Sequence, residues 1–390
     1  MTLFVDQTCG PLLVDVINEF ALSGERVILF CGELKEANIK LNSDVIIIRS
    51  SKYRRETSFR RLTSWGSFSI NIFFFILFSR RITTVIAVTN PPFVPLITGL
   101  LAKWKRLPFY IIIYDLYPDA LSQVTGSAKT SLIYKFWSNL NTHFFSRAQR
   151  IFTISESMKD AIGFYVDRKI ISVIHNWADT DYIRPHNKQT NPFIINHHLH
   201  DKKIVLYAGN MGLTHDLESL IEAAAFLRAS QDIIFLMIGD GSKKQKLTSL
   251  ANEKRLSNII FLPYQEADMF PFAMASADIG IVTLGSGAES ISLPSKTYTT
   301  MAAGLCLVAI AASASELGTI IREDGVGIVC PPNQPLLLAE IIKNTLEDVP
   351  KLSQFKARSL AASKKYNKEN AKDYMREVHK IRMKNVSGNY

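Results

Sequence analysis

Two doubly wound α/β domains are what this sequence predicts. Three observations carry the prediction: the length, the alternation of short apolar runs with helix-like segments, and a polar break near the middle. At 390 residues the chain exceeds one ordinary core and fits two domains of about 150–200 residues. Hydrophobic residues are 47% and charged residues 21%, a globular composition rather than a disordered one.

The first half opens with a strand over residues 3–6, a turn at Gly10-Pro11 and a helix over about 12–22. Residues 27–30, 45–48, 85–88 and 109–114 follow as short β-rich runs bounded by turn residues. Such runs suit a parallel sheet buried on both faces. The second half repeats the rhythm with strands at 204–208, 233–238, 259–262, 279–282, 307–310 and 327–329. Leu217, Leu220, Ile221 and Ala224 keep helical spacing between them, as do Leu338, Ile341, Ile342 and Leu346. Strand and helix alternating over this length mean a doubly wound domain. The polar stretch 179–203, with Pro185 and Pro192, is the expected linker. The domains are then residues 1–178 and 204–362, with a basic helical tail over 363–390.

Charge is unevenly spread. Residues 49–106 hold eleven basic side chains and one acidic one, Glu56, an excess equal to the +10 of the whole chain. So local a field attracts an anionic surface or ligand. Within it, residues 62–79 carry no charge and hold Trp65 and five phenylalanines, between Arg60-Arg61 and Arg80-Arg81. A bilayer span needs about 20 mostly apolar residues, and this run is interrupted by serines and threonine. An interfacial helix is one reading and a core helix of the first domain is the other; both hold if one face is buried. Cys9, Cys31, Cys306 and Cys330 form no C-x-x-C pair, so neither a zinc site nor a disulfide framework is indicated. A reducing, cytoplasmic setting fits, and the strand-like start at Leu3-Phe4-Val5 is not the basic opening of a secretory signal.

Several segments could carry chemistry. Gly209-Asn210-Met211-Gly212 ends a strand and precedes a helix, where glycines let backbone N–H groups approach a phosphate; a tight turn is the plain alternative. Gly239-Asp240-Gly241 ends the next strand and is open to the same two readings. Ser292-Leu293-Pro294-Ser295-Lys296 reads as a helix start capped by Ser292, with the helix ending at Gly304. A lysine in a first turn opposes the helix dipole unless an anion sits there, which makes Lys296 the foremost candidate for a diphosphate contact; a solvated surface lysine is the plain alternative. Asp115 and Asp119, in Tyr114-Asp115-Leu116-Tyr117-Pro118-Asp119, could meet an acceptor or cap the next helix. Asp179-Thr180-Asp181 and the trio His197, His198 and His200 lie in the expected linker and are read as solvated loop, not as metal sites.

Taken together, these residues resemble glycosyltransferase family 4, especially bacterial enzymes of O-antigen and capsule assembly that transfer N-acetyl-L-fucosamine or build colanic acid. In the first half the resemblance rests on Val88-Thr89-Asn90-Pro91-Pro92, on the Asp115 segment, on Ile154-Ser155-Glu156-Ser157-Met158 and on His175-Asn176-Trp177-Ala178-Asp179 leading to Arg184-Pro185. In the second it rests on Tyr207-Ala208-Gly209-Asn210-Met211-Gly212, Ile238-Gly239-Asp240-Gly241, Leu293-Pro294-Ser295-Lys296-Thr297-Tyr298 and Met301-Ala302-Ala303-Gly304.

The resemblance implies a GT-B fold: two Rossmann-like domains facing across a cleft, the first binding acceptor, with the C-terminal helix crossing back to it. It implies a UDP-sugar donor, retention of configuration and no metal. The acceptor would be a saccharide on a polyprenyl diphosphate, at the inner face of the cytoplasmic membrane, contacted through the basic window. Gly209, Asn210, Met211, Gly212, Gly241, Ser295, Lys296, Tyr298 and Thr299 would hold the donor. Asp115, Lys296 and Glu316 would be catalytic, and Gly10 and Asp119 would face the acceptor.

Three departures stand out. The family's paired glutamates are Ile291 and Thr299 here, leaving Glu289 and Glu316 as candidates. The usual arginine is Asn210, and a nearby lysine aligns with His215. Lys296 would then carry more of the diphosphate charge. A UDP-sugar epimerase or hydrolase of the same fold is the alternative; nucleic acid is not an expected partner, because the basic window lacks a recognised signature for it.

Overall fold

The computed structural model describes residues 1–35, 39–54, 57–120, 130–213, 215–284 and 293–387. The chain divides into two compact units, Met1–His175 with Lys368–Tyr390, and Asn176–Asn367.

The first unit runs β1 (Thr2–Cys9), α1 (Pro11–Leu22), β2 (Val27–Leu34), β3 (Ile46–Arg49), α2 (Ser58–Phe78), β4 (Thr84–Val88), α3 (Val94–Lys105), β5 (Phe109–Ile113), α4 (Leu132–Phe145), β6 (Arg150–Thr153), α5 (Glu156–Ile162) and β7 (Ile171–Val173). The second runs α6 (Pro192–Asn196), β8 (Lys203–Ala208), α7 (Glu218–Phe226), β9 (Ile233–Ile238), α8 (Lys244–Glu253), β10 (Ile259–Leu262), α9 (Phe270–Ala275), β11 (Ile279–Thr283), α10 (Lys296–Ala302), β12 (Cys306–Ile310), α11 (Glu316–Asp324), β13 (Gly327–Cys330), α12 (Pro335–Glu347) and α13 (Val349–Ser363). Helix α14 (Asn370–Ser387) returns to the first unit.

Each unit holds one parallel sheet. The orders are β3-β2-β1-β4-β5-β6-β7 and β10-β9-β8-β11-β12-β13. Both reverse direction once, between β1 and β4 and between β8 and β11, and such switch points open crevices at the strand ends. The central strands are apolar on both faces: Leu3, Phe4 and Val5 of β1 are fully buried, as are Leu307, Val308 and Ala309 of β12. Helices cover both sides, which is why the sequence reads there as continuous runs rather than alternation. Strands β6 and β7, too short to stand out in the sequence, are only four and three residues long and extend the first sheet at its edge.

Residues 179–203 are not a free linker. Phe193 and Ile194 of α6 are fully buried, and Asn191 caps that helix while its amide donates to Phe272 O at 2.9 Å. Lys188 donates to the buried Asp278 at 2.5 Å, which also takes Lys356 at 2.9 Å and Ile204 N at 3.0 Å. Polar sequence was misleading here because the stretch is anchored through its polar groups as well as through Phe193 and Ile194. The Asp179 carboxylate accepts from Asp181 N at 3.0 Å and Tyr182 N at 3.1 Å, a local Asx turn.

Helix α14 is pinned to the first unit through Glu25, which pairs with His379 at 2.5 Å and Arg382 at 2.6 Å, and through Tyr374, buried 5.0 Å from the Phe152 ring. Helix α2 has two faces. Trp65, Phe68, Ile72 and Ile76 are buried, whereas Phe59, Leu62, Ile70, Phe74 and Phe78 are exposed. By length and composition Phe59–Phe78 could cross a bilayer, yet 33% of it is buried in the protein. One face therefore belongs to the core and the other is an apolar surface.

Candidate functional site

The second unit opens a cavity of about 310 Å³ at its switch point, between β8 and β11. Leu206 and Ala208 of β8 and Gly280 and Ile281 of β11 form its base. Gly209, Asn210 and His215 follow β8, Ser295, Lys296, Thr299 and Thr300 come from the start of α10, and Phe270 and Met274 of α9 supply an apolar wall. A pocket of this size with a few convergent polar groups suits a small ligand.

Glycine at position 280 is what brings α10 to the sheet. A Cβ there would stand 2.3 Å from Thr300 Cγ2. The helix then presents residues to the cavity with its own period: 295, 296, 299 and 300 line it, while Thr297, Tyr298 and Met301 turn fully into the core. Ser295 begins α10 without a side-chain cap bond, and the helix stops at Ala303, with Gly304 left-handed behind it. The Ser292 expected as cap lies outside the described residues, as do Glu289 and Ile291.

Lys296 is the central polar group. Its Nζ donates to Tyr207 Oη at 2.8 Å and stands 4.0 Å from the Tyr207 ring centre, directly beside Gly209. Burial pushes its pKa down to about 7. Tyr207 in turn donates to Asn210 O at 2.5 Å. His215 Nδ1 is 2.8 Å from the same carbonyl and 2.8 Å from the Tyr207 hydroxyl. Burial, and then the Lys296 charge, hold the His215 pKa down to about 4, so the ring is neutral at pH 7. Lys243, the other lysine near this turn, donates to His215 O at 2.7 Å and Glu218 at 2.8 Å. Burial alone would raise the Glu218 pKa; bonds from Lys243 and Lys246 outweigh it. The Lys243 charge is thus matched locally, unlike that of Lys296 among the described residues.

Four of the expected donor contacts do not line this cavity. Met211 is fully buried. The glycine at 241 is required by packing, since a Cβ would fall 2.6 Å from Met211 O at a φ of +148°. Gly212 lies beyond the lining residues, and Tyr298 packs on Tyr366 with ring centres 5.0 Å apart. The turn also offers fewer donors than its glycines suggest. Gly209 N donates to Ile238 O and Met211 N to Asp240 O. Among the described residues, only the N–H groups of Asn210 and Gly212 in this turn show no such bond. Glu316 begins α11, where Ser315 caps Gly318 N at 3.1 Å, at the end of β12 and outside the cavity lining.

In the first unit, Gly10 caps α1 without a side chain and would have open space around a Cβ. Asp115, just after β5, keeps solvent contact although the surrounding protein raises its carboxyl pKa. Asp119 is different: it is buried and accepts from Tyr134 at 2.8 Å and Tyr165 at 2.5 Å. Its carboxylate joins α4 to the segment after α5, so an outward acceptor role does not follow from its position. Phe270, Met274 and Thr300 carried no signal in the sequence; His215 was visible only as a departure from the family pattern.

The chain is similar to known glycosyltransferases. Residues 189–361 match the family model for glycosyl transferases group 1. The chain is 28% identical over 273 residues to WbjE of Pseudomonas aeruginosa, named as a glycosyltransferase, covering 69% of this chain and 67% of that one. It is 28% identical over 308 residues to WcaI of Escherichia coli K12, named as a colanic acid biosynthesis glycosyl transferase, covering 75% and 74%. Among solved structures, Anabaena HepE in complex with UDP and glucose aligns over 97% of this chain and 99% of its own, with a TM-score of 0.74 at 15% identity. WaaG, a glycosyltransferase of lipopolysaccharide biosynthesis, aligns over 93% and 95% with a TM-score of 0.68 at 13% identity. These two likenesses are of fold, and the fold is the GT-B architecture the sequence predicts.

Proposed function

We propose that this group 1 glycosyltransferase moves a sugar, an N-acetylhexosamine such as N-acetyl-L-fucosamine, from UDP to a saccharide carried on a polyprenyl diphosphate, with retention of configuration. The observation that carries the reading is Lys296. It is a half-buried amine beside Gly209 in the switch-point cavity, with no carboxylate among the described cavity-lining residues to neutralise it. A diphosphate would supply the missing charge. HepE, of the same fold, was solved with UDP and glucose, which supports a UDP-sugar as donor.

In this mechanism the bond from the anomeric carbon to the diphosphate oxygen lengthens, and negative charge grows on the leaving group. Lys296 Nζ and the N–H group of Asn210 stabilise that charge; donors already in place before the reaction supply much of the rate enhancement of many enzymes. The departing oxygen takes the proton of the acceptor hydroxyl, which attacks from the same face. His215 bonds to a hydroxyl of the donor. Asp115 orients the acceptor, and Gly10 leaves room for it. No metal is needed in this scheme, because the cation and the amide do that work. The enzyme works at the inner face of the cytoplasmic membrane, held by the basic window and the exposed apolar face of α2.

Nucleotide release from a panel of nucleotide sugars, with and without lipid-linked saccharides, tests this directly. Release of UDP that requires the lipid is the expected outcome. Equal release without it, or an isomerised donor without transfer, would sink the proposal.

A further inference from the structure

The first unit holds a second cavity, of about 590 Å³, that the chemistry above leaves unused. One wall is the segment after β3, with Ser51, Lys52, Tyr53 and Arg54; the other is the first half of α2, with Thr63, Ser64 and Ser67. The sequence builds it deliberately. At Gly32 a Cβ would lie 2.3 Å from Ser51 O, so only glycine lets this segment close on β2. Gln7, at the end of β1, clamps both walls: its amide donates to Ser51 O at 3.1 Å and to Ser64 O at 3.0 Å.

The lining is cationic and hydroxylated, and its back is aromatic. Lys52 and Arg54 are exposed at the rim. Tyr53 stacks on the buried Trp65 with planes 6° apart, and Arg61 stands 5.6 Å over the same indole. Trp65 continues to Tyr117, 6.4 Å away, and both Asp115 and Arg61 act electrostatically on Tyr117. The cavity therefore connects to the acceptor-side carboxylate through two ring contacts, Tyr53 to Trp65 and Trp65 to Tyr117. The exposed apolar face of α2 begins at Phe59 and Leu62 beside it.

We propose that this cavity binds the diphosphate of the polyprenyl-linked acceptor, with Lys52 and Arg54 on the phosphates and the serine and threonine hydroxyls completing the cradle. Cations with neutral donors recognise phosphate, and phosphate contacts from charged groups are the strong ones. An apolar helix face next to the cradle suits a group whose other end is a prenyl chain. The inference rests on the lipid-linked acceptor proposed above.

The test uses the full chain and phosphatidylcholine vesicles doped with a long-chain polyprenyl diphosphate. Vesicles given the same surface charge with phosphatidylglycerol are the comparison. The wild type should prefer the diphosphate vesicles, and soluble pyrophosphate should compete. Lys52→Ala with Arg54→Ala should reduce that preference at least about tenfold. Arg80→Ala with Arg81→Ala removes equal charge elsewhere in the window and should leave the preference intact. Equal binding to both vesicle types, no competition by pyrophosphate, or equal loss in the two double variants would overturn the proposal. UDP affinity separates it from the donor reading: that affinity should be unchanged in the Lys52/Arg54 variant. If Lys296→Ala abolishes transfer while the Lys52/Arg54 variant keeps its diphosphate preference, this proposal fails and the donor reading stands.

Discussion

The two units share one architecture and use it in opposite ways. The second concentrates its chemistry: a single half-buried lysine in a cavity of about 310 Å³, its amine bonded to one tyrosine. The first disperses it. Eleven basic residues spread over 49–106, with an apolar helix face and an aromatic-backed cavity among them. A concentrated charge in a low-dielectric site acts strongly on one group, whereas dispersed charge acts at long range and is screened by salt. The difference suits a small anionic donor on one side and a large, surface-borne acceptor on the other.

The largest disruption should come from the frame of the concentrated unit. Asp278→Ala leaves Lys188 and Lys356 facing a vacated carboxylate site and should cost about 3 kcal/mol, the low end for breaking a buried pair because both lysines keep some solvent. Denaturant unfolding reads this. Burial would raise the Asp278 pKa, but Lys356 and Lys188 outweigh it and hold it below the ordinary 3.8. Its contribution is therefore present above that value and lost as pH falls through the lower, folded one. Stability that is unchanged in the alanine variant would mean residues 179–203 are not anchored through this carboxylate.

Next in size is the pH response of nucleotide binding. The Lys296 amine has a pKa of about 7 without ligand, and a bound diphosphate favours the charged form. UDP affinity should be flat below pH 7 and fall up to about tenfold per unit above it, with one proton taken up on binding near pH 8. Calorimetry in buffers of different ionisation heat measures that proton. A flat profile from pH 6 to 9 would show that Lys296 does not face the diphosphate.

Smaller effects should mark the dispersed unit. Raising salt from low to high should weaken vesicle binding several-fold and UDP binding little, because only the exposed charges are screened. Phe74→Asp with Phe78→Asp, on the exposed face of α2, should reduce vesicle binding about tenfold or more and leave UDP affinity alone. A parallel loss of both activities would erase the distinction between the units.

Much of the fold is legible in the sequence because parallel strands leave unbroken apolar runs: residues 233–238 match the fully buried strand β9 residue for residue, and residues 259–262 match the half-buried edge strand β10. The site is less legible, for local reasons. Lys296 shows itself through an unfavourable place in a helix, but Tyr298, two positions on, turns into the core by helical phase alone. The glycine at 241 looks like a phosphate cradle and is a packing requirement against Met211. Asp119 looks like a partner of Asp115, yet two distant tyrosines claim its carboxylate. The apolar wall of Phe270 and Met274 belongs to a six-residue helix with no motif to announce it.

The central claim is that the second unit holds a partly desolvated amine for the donor's sake. Lys296→Met tests it most directly, by transfer rate and thermal unfolding of the same preparation. Burial depresses the amine below its ordinary 10.5, so the charged form costs the unliganded fold stability, most fully below pH 7 and not at all above about pH 10.5. The account predicts that at pH 7 the variant loses transfer by about 100-fold or more, while its unfolding midpoint rises by about 2 °C or more. Retained transfer, or a midpoint that falls with the activity, would contradict it.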